Sequence, residues 1–146
     1  MFLRLIQTRS DKATIIIRFL VGCVFVSEGI QKFLFPETLG AGRFHDIGLP
    51  AADVLSNLVG MFEICCGLLV LVGLLTRLAC VPLIVIILVA IFTTKTDVYL
   101  AKGFWEVLHA SRTDWSMLLG SLFLLIKGAG YYSFDFSIWL NKKSWA

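Results

Sequence analysis

The chain has 146 residues, 58% of them hydrophobic and 16% charged, with a mean hydropathy of +0.88 and a formal net charge of +3. So short a chain has too much surface to bury that apolar fraction in a water-soluble core, which excludes an ordinary soluble domain and points to a lipid bilayer. The small, dispersed positive charge excludes a nucleic-acid-binding surface.

Residues Met1–Lys12 set Phe2, Leu3, Leu5 and Ile6 beside Arg4 and Arg9, a mixture that suits a short helix lying on the membrane surface. The first membrane span is expected over about 13–35. It is too long for the apolar core of a signal peptide and no small-residue cleavage site follows it, so it reads as a permanent helix. Pro36 closes it, because proline biases the preceding residue away from helix. Gly22 and Gly29 lie seven apart on nearly one face, where a second backbone can approach closely. Glu28 and Lys32 stand four apart with the acid first, the order that favours a pair along one helix, with Lys32 snorkelling outward.

The loop from Pro36 to about Ala52 contains the turn signal Gly48-Leu49-Pro50, and Asp53 is placed to cap the next helix. His45 and Asp46 adjoin there, but two ligands fall short of a metal site's three or four. The second span, about 54–75, is long enough to cross a bilayer and carries Glu63 close to its middle. A charge at that depth costs about 2.5–3.5 kcal/mol, so Glu63 must face a partner or a polar cavity. Two readings of it stay open: a tie between helices, paired with Lys32 or protonated, or a functional group.

Gly73 and Thr76-Arg77 make a tight connection to a third, almost wholly aliphatic span over about 78–94, with Pro82 in its first turns. A hydrophilic segment from Lys95 to Asp114 follows, within which Phe104–Ala110 suits a short interfacial helix. The fourth span is expected over about 114–132, ending in a glycine stop at Gly128-Ala129-Gly130 and an aromatic belt at Tyr131 and Tyr132, with Lys127 snorkelling to headgroups. The tail from Phe136, with Trp139 and Trp145, is again interfacial in composition. Cys23, Cys65, Cys66 and Cys80 contain no Cys-x-x-Cys pair and read as small buried packing residues.

Four spans put both termini on one side, together with Arg4, Arg9, Lys12, Arg77, Lys142 and Lys143. The opposite loops hold Arg43, Lys95, Lys102 and Arg112, so the charge bias favours cytoplasmic termini. The expected fold is therefore all-α, an integral membrane four-helix bundle forming a single domain over 1–146. On its outer side Glu28, Lys32 and Glu63 meet Asp114, Arg112 and His109 at the start of the fourth helix. Such a set can trade protons or hydrogen-bond the carbonyls of a quinone-like ring. Arg18, Arg77, Lys127 and Asp135 make an inner set suited to anchoring at the membrane edge, with Arg18 and Asp135 as a candidate structural pair.

Four motifs then stand in order: Arg18-x3-Gly22-x2-Phe25-x3-Gly29-x2-Lys32-Phe33; Phe44 before Gly48-Leu49-Pro50; Gly60-x2-Glu63-x3-Gly67-x5-Gly73-x2-Thr76-Arg77; and Gly128-Ala129-Gly130-x2-Ser133-x-Asp135. Across about Ala13 to Asp135 the chain resembles the DoxX family. The resemblance implies a four-helix protein of the bacterial inner membrane. Founding members are associated with quinone-linked oxidation, including membrane subunits of a thiosulfate:quinone oxidoreductase, others with redox-stress defence complexes, and distant relatives look like assembly factors and cargo receptors. Arg18, Lys32, Glu63, Arg77 and the Gly128-Ala129-Gly130 turn match the family pattern, His109 and Asp114 fill their places loosely, and Glu28 and Lys127 have no counterpart in it.

The expectation that follows is a small quinone-linked oxidoreductase component. Glu63, Lys32 and Asp114 are its candidate catalytic residues, and Arg18, Glu28, His109 and Arg77 its candidate cofactor-binding residues. Quinone is the expected cofactor, with no metal or haem indicated; the lipid bilayer and a partner redox subunit are the expected partners. A non-enzymatic assembly or cargo-binding factor and a proton-coupled small-molecule carrier are the alternatives.

Overall fold

The computed structural model describes residues 11–143. The interfacial helix expected at Met1–Lys12 lies, up to Ser10, outside the described residues, as does Trp145. Among those described there are seven helices and no strand: α1 Thr14–Leu34, α2 Ala41–Asp46, α3 Ala52–Val72, α4 Thr76–Lys102, α5 Phe104–Ala110, α6 Arg112–Lys127 and α7 Phe134–Lys143. α1, α3 and α4 are long and apolar enough to cross a membrane. α6 has 16 residues, about 24 Å of helix.

Local chemistry sets most of the boundaries. The Ala13 amide donates to Asp11 Oδ1 at 2.9 Å just before α1, and Pro36 follows its last turn. α3 ends on Gly73 at φ 72°, with the Leu74 amide reaching back to the Leu69 carbonyl at 3.0 Å; a left-handed glycine closes a helix at no Cβ penalty. Asp53 makes no cap hydrogen bond; α3 begins at Ala52, so Asp53 sits inside the first turn, where its charge favours the positive end of the helix dipole.

Two helices run to different ends than expected. α4 continues eight residues past Thr94 to Lys102 and stops only at Gly103, φ 83°; within it Thr93, Thr94 and Thr96 satisfy their hydroxyls on the carbonyls of Val89, Ala90 and Phe92. Leaving the apolar stretch did not mean leaving the helix. α6 stops at Lys127, earlier than expected, since Gly128 and Gly130 at φ 85° and 84° cannot extend it. Pro82 falls two turns into α4, not at its start, and removes the donor that would have reached Leu78; the helix runs on through it.

The four long helices form a ring in the order α1, α3, α4, α6, each antiparallel to the next; α1 packs most extensively on α3, and α4 on α6. Val21, Phe25, Cys66, Val70, Cys80, Leu83, Ile87, Met117 and Leu124 fill the centre. Outward-facing apolar side chains stay bare: Ile16 is 68% exposed, Phe92 72% and Ile126 71%. A water-soluble protein does not present so continuous an apolar girdle, whereas a bundle surrounded by lipid requires one.

The α1–α3 contact is built on glycine. A Cβ at Gly29 would lie 2.7 Å from the Gly60 carbonyl oxygen, and one at Gly67 would lie 3.2 Å from that of Gly22. Two glycines on each helix, seven residues apart, thus oppose each other and let the backbones touch. Of the four cysteines, all free thiols, only Cys66 and Cys80 pack inside; Cys23 and Cys65 are exposed on outward faces, contrary to the expectation that all four are buried.

Candidate functional site

A cavity of about 510 Å³ opens among α1, α3, α4 and α6 at the end of the bundle that carries α2 and α5. Val24, Phe25, Val59, Ile87 and Met117 make its walls apolar. Leu39, Phe44, Ile47 and Leu49, from the segment joining α1 to α3, line it as well. Into this apolar space project Glu28, Lys32, Arg43, Glu63, Lys95 and Asp114. That volume lies within the range of small-molecule sites, which combine apolar walls with a few placed polar groups.

The glycine seam positions the first charged pair. Gly29 is one turn before Lys32 and Gly60 one turn before Glu63, and close approach of the backbones brings Lys32 Nζ to 2.7 Å from Glu63 Oε2. The side chains are only 12% and 5% exposed. Lys32 therefore reaches across to α3. The pairing of Glu28 with Lys32 along α1 is not formed, because Glu63 offers a carboxylate in a drier setting; Glu28 stays exposed at the cavity and has no ion pair among the described residues.

The second pair joins α4 to α6. Lys95 Nζ lies 3.1 Å from Asp114 Oδ2 and donates to the Ala110 carbonyl at 3.0 Å; the side chains are 16% and 24% exposed. Lys95 was not a candidate from sequence, where it fell in the hydrophilic segment. The extension of α4 past Thr94 puts it on the cavity wall. A lysine one helical period beyond Ile91, on the face of Ile87 and Ile84, was the available signal.

The other candidates lie elsewhere. His109 is exposed and its ring nitrogens stand 2.9 and 3.2 Å from Arg112 Nη1; neither residue lines the cavity. His45 Nε2 is 3.9 Å from Asp53 Oδ2, with both side chains open to solvent. Arg18 and Arg77 are at the opposite end of the bundle. Arg18 is 2% exposed and its guanidinium donates to the backbone carbonyls of Val70 (2.9 Å), Ala129 (3.3 Å), Leu71 and Tyr132. Arg77 Nη2 donates to the Ile126 carbonyl at 2.8 Å. Asp135 forms no ion pair with Arg18. It accepts from the amides of Leu75 (2.8 Å) and Thr76 (3.0 Å) and so caps the start of α4 from across the fold.

The arrangement thus brings Glu28, Lys32, Glu63 and Asp114 to one cavity, adds Lys95 and Arg43, and leaves Arg18, Arg77 and His109 outside it. Two ammonium groups in apolar surroundings can donate to a ligand's carbonyl oxygens, and the carboxylates beside them can take up or release protons.

The sequence matches the DoxX family profile over residues 13–96, which covers α1 through most of α4 and includes Lys32, Glu63 and Lys95. An uncharacterized membrane protein of Mycobacterium tuberculosis is 51% identical over 138 residues, covering 90% of this chain and 85% of that protein. The Bacillus subtilis protein named "Putative oxidoreductase CatD" is 27% identical over 132 residues, covering 90% of each. No solved structure matches the chain.

Proposed function

The chain belongs to the DoxX family of membrane proteins, and from that premise we propose that it is a quinone-linked oxidoreductase component of the bacterial inner membrane. The quinone ring would occupy the cavity at Lys32 and Glu63. The observation that carries this reading is a buried lysine–carboxylate pair in a cavity whose walls are largely apolar and whose charged groups are few. Ion pairs buried this deeply are weak stabilisers compared with apolar packing, which favours a chemical reason for keeping one. A relative bearing an oxidoreductase name supports the same direction.

The residues fit such a ligand. Phe25, Val59 and Ile87, from three helices, line the cavity with apolar side chains against which a ring can pack. Lys32 Nζ, 2.7 Å from Glu63 Oε2, is an ammonium with three N–H donors, enough to hold a carbonyl oxygen as well. Glu63, next to that ammonium, is placed to hold a proton at its carboxylate near the same oxygen. When bound, a quinone supplies reversible two-electron, two-proton redox chemistry. The chain's part is to orient the ring, keep water from it and manage protons, with electrons exchanged through a partner redox subunit.

Purification in mild detergent followed by lipid extraction and mass spectrometry tests the reading, together with equilibrium dialysis of a short-chain quinone against the protein. Co-purified quinone and saturable binding lost in Lys32→Met are expected. Absence of both, with a protein chain co-purifying in fixed stoichiometry, would replace this reading with an assembly or cargo-binding role. Proton-coupled flux in liposomes without quinone binding would replace it with a carrier.

A further inference from the structure

Of the six charged groups at the cavity, the four that form the two cross-helix ion pairs alternate in sign around the bundle. In ring order they are Lys32 on α1, Glu63 on α3, Lys95 on α4 and Asp114 on α6, so each lysine faces the other along one diagonal and each carboxylate faces the other along the second. α1 and α4 both start at the end of the bundle opposite the cavity, and at the helical rise Lys32 and Lys95 stand about 27 Å and about 28 Å along them, at similar depth. Donor capacity remains on both sides. An ammonium has three N–H groups; Lys32 Nζ stands 2.7 Å from Glu63 Oε2, and Lys95 donates one N–H to the Ala110 carbonyl with Asp114 Oδ2 at 3.1 Å.

A ring with a single hydrogen-bond acceptor would engage one of these lysines and leave the other pair idle across the cavity. We infer that the Lys95–Asp114 pair is the second recognition point for the ligand, which carries two carbonyl oxygens on opposite edges of one ring and takes an N–H from Lys32 at one edge and from Lys95 at the other. The inference rests on the quinone reading and narrows it: the ligand class is a para-dione, and Lys95 and Asp114 determine specificity. The Ala110 carbonyl fixes the Lys95 ammonium and leaves donor capacity for the ligand, which gives this edge the stricter geometry. Asp114, 3.1 Å away, neutralises Lys95.

The test compares 1,4-naphthoquinone with 1-tetralone, a ring system of similar size with one carbonyl, by equilibrium dialysis against the full chain in detergent. Wild-type protein should bind the dione about tenfold more tightly, the scale of one additional charge-assisted hydrogen bond. In the double variant Lys95→Met/Asp114→Asn, which leaves no unpaired charge, the dione should fall to the affinity of the mono-ketone while the mono-ketone is unchanged. Lys95→Arg, which keeps a donor at that edge, should retain part of the preference, and thermal stability in detergent identifies any variant that has not folded. A tenfold preference that persists in the folded double variant overturns the role of Lys95 and leaves the quinone reading standing. Equal wild-type affinities for the two rings overturn the two-edged ligand, again without touching that reading. Failure of wild-type protein to bind either ring sinks both.

Discussion

Lys32 and Glu63 meet across the α1–α3 seam with 2.7 Å between ammonium nitrogen and carboxylate oxygen, one turn from the Gly29–Gly60 crossing where the two backbones touch. Removing one member of a buried pair leaves the other uncompensated and costs about 3–5 kcal/mol, whereas removing both is close to neutral. Glu63→Gln and Lys32→Met should therefore each lower thermal stability in detergent, and the double variant should recover it. Quinone binding should stay lost in the double variant. If binding returns along with stability, the pair is a structural tie alone.

The glycine seam makes a separate prediction about packing. A methyl at Gly29 would sit 2.7 Å from the Gly60 carbonyl oxygen and 2.8 Å from Ile64 Cγ1, contacts that only a shift of one helix can relieve. Gly29→Ala should destabilise the bundle by about 1–3 kcal/mol, the usual range for overpacking. It should also weaken ligand binding, because the shift separates Lys32 from Glu63. Gly48→Asn is the control: nothing lies within 4 Å of a Cβ there, and asparagine tolerates its φ of 72°. Equal melting temperatures for the two variants would contradict the close approach of α1 and α3.

The sequence was most legible where apolar runs and glycine spacing coincide. Gly22 and Gly29 mark a face for close approach, and the depth of Glu63 alone calls for a partner or a polar cavity. Lys95 was not legible, because polarity in Lys95–Asp114 was read as the end of a helix that in fact continues to Lys102. Arg18 and Asp135 were read as a charged pair. Instead each serves backbone groups, and the pattern of residue types cannot distinguish a partner side chain from a carbonyl or an amide. Those backbone partners come from α3, the α6–α7 turn and the start of α4, distant in sequence and joined only by the folded ring.

Topology can be read from labelling. α6 is the shortest of the four long helices, and the proposal that it crosses the membrane places its flanking segments on opposite sides. In a protein whose four cysteines are replaced by alanine, single cysteines at Asp46, Lys102 and Tyr132, all exposed positions, report on those segments. A membrane-impermeant maleimide applied from outside the cell membrane should label Asp46→Cys and Lys102→Cys, and should label Tyr132→Cys only after permeabilisation. Labelling of Lys102→Cys and Tyr132→Cys from the same side would show that α6 does not cross, and the opposite pattern would invert the orientation.

Arg18 and Asp135 provide the counterpart to the cavity, at the other end of the bundle. Arg18 holds the carbonyls of Val70 and Leu71 at the end of α3 and those of Ala129 and Tyr132 in the turn after α6. Asp135 satisfies the first two amides around the start of α4, and its own amide donates to the Gly73 carbonyl at 2.9 Å. Loss of a capping carboxylate costs about 0.5–2 kcal/mol. Asp135→Ala should fall in that range, and Arg18→Met should cost more, since it strands several carbonyls in a buried place. Lysine cannot replace Arg18, because a single ammonium does not span four carbonyls from two segments as the planar guanidinium does. Since both residues lie away from the cavity, either variant, assayed below its melting temperature, should bind a short-chain quinone with wild-type affinity. A loss of affinity in Arg18→Met at full folded fraction would return Arg18 to the ligand site.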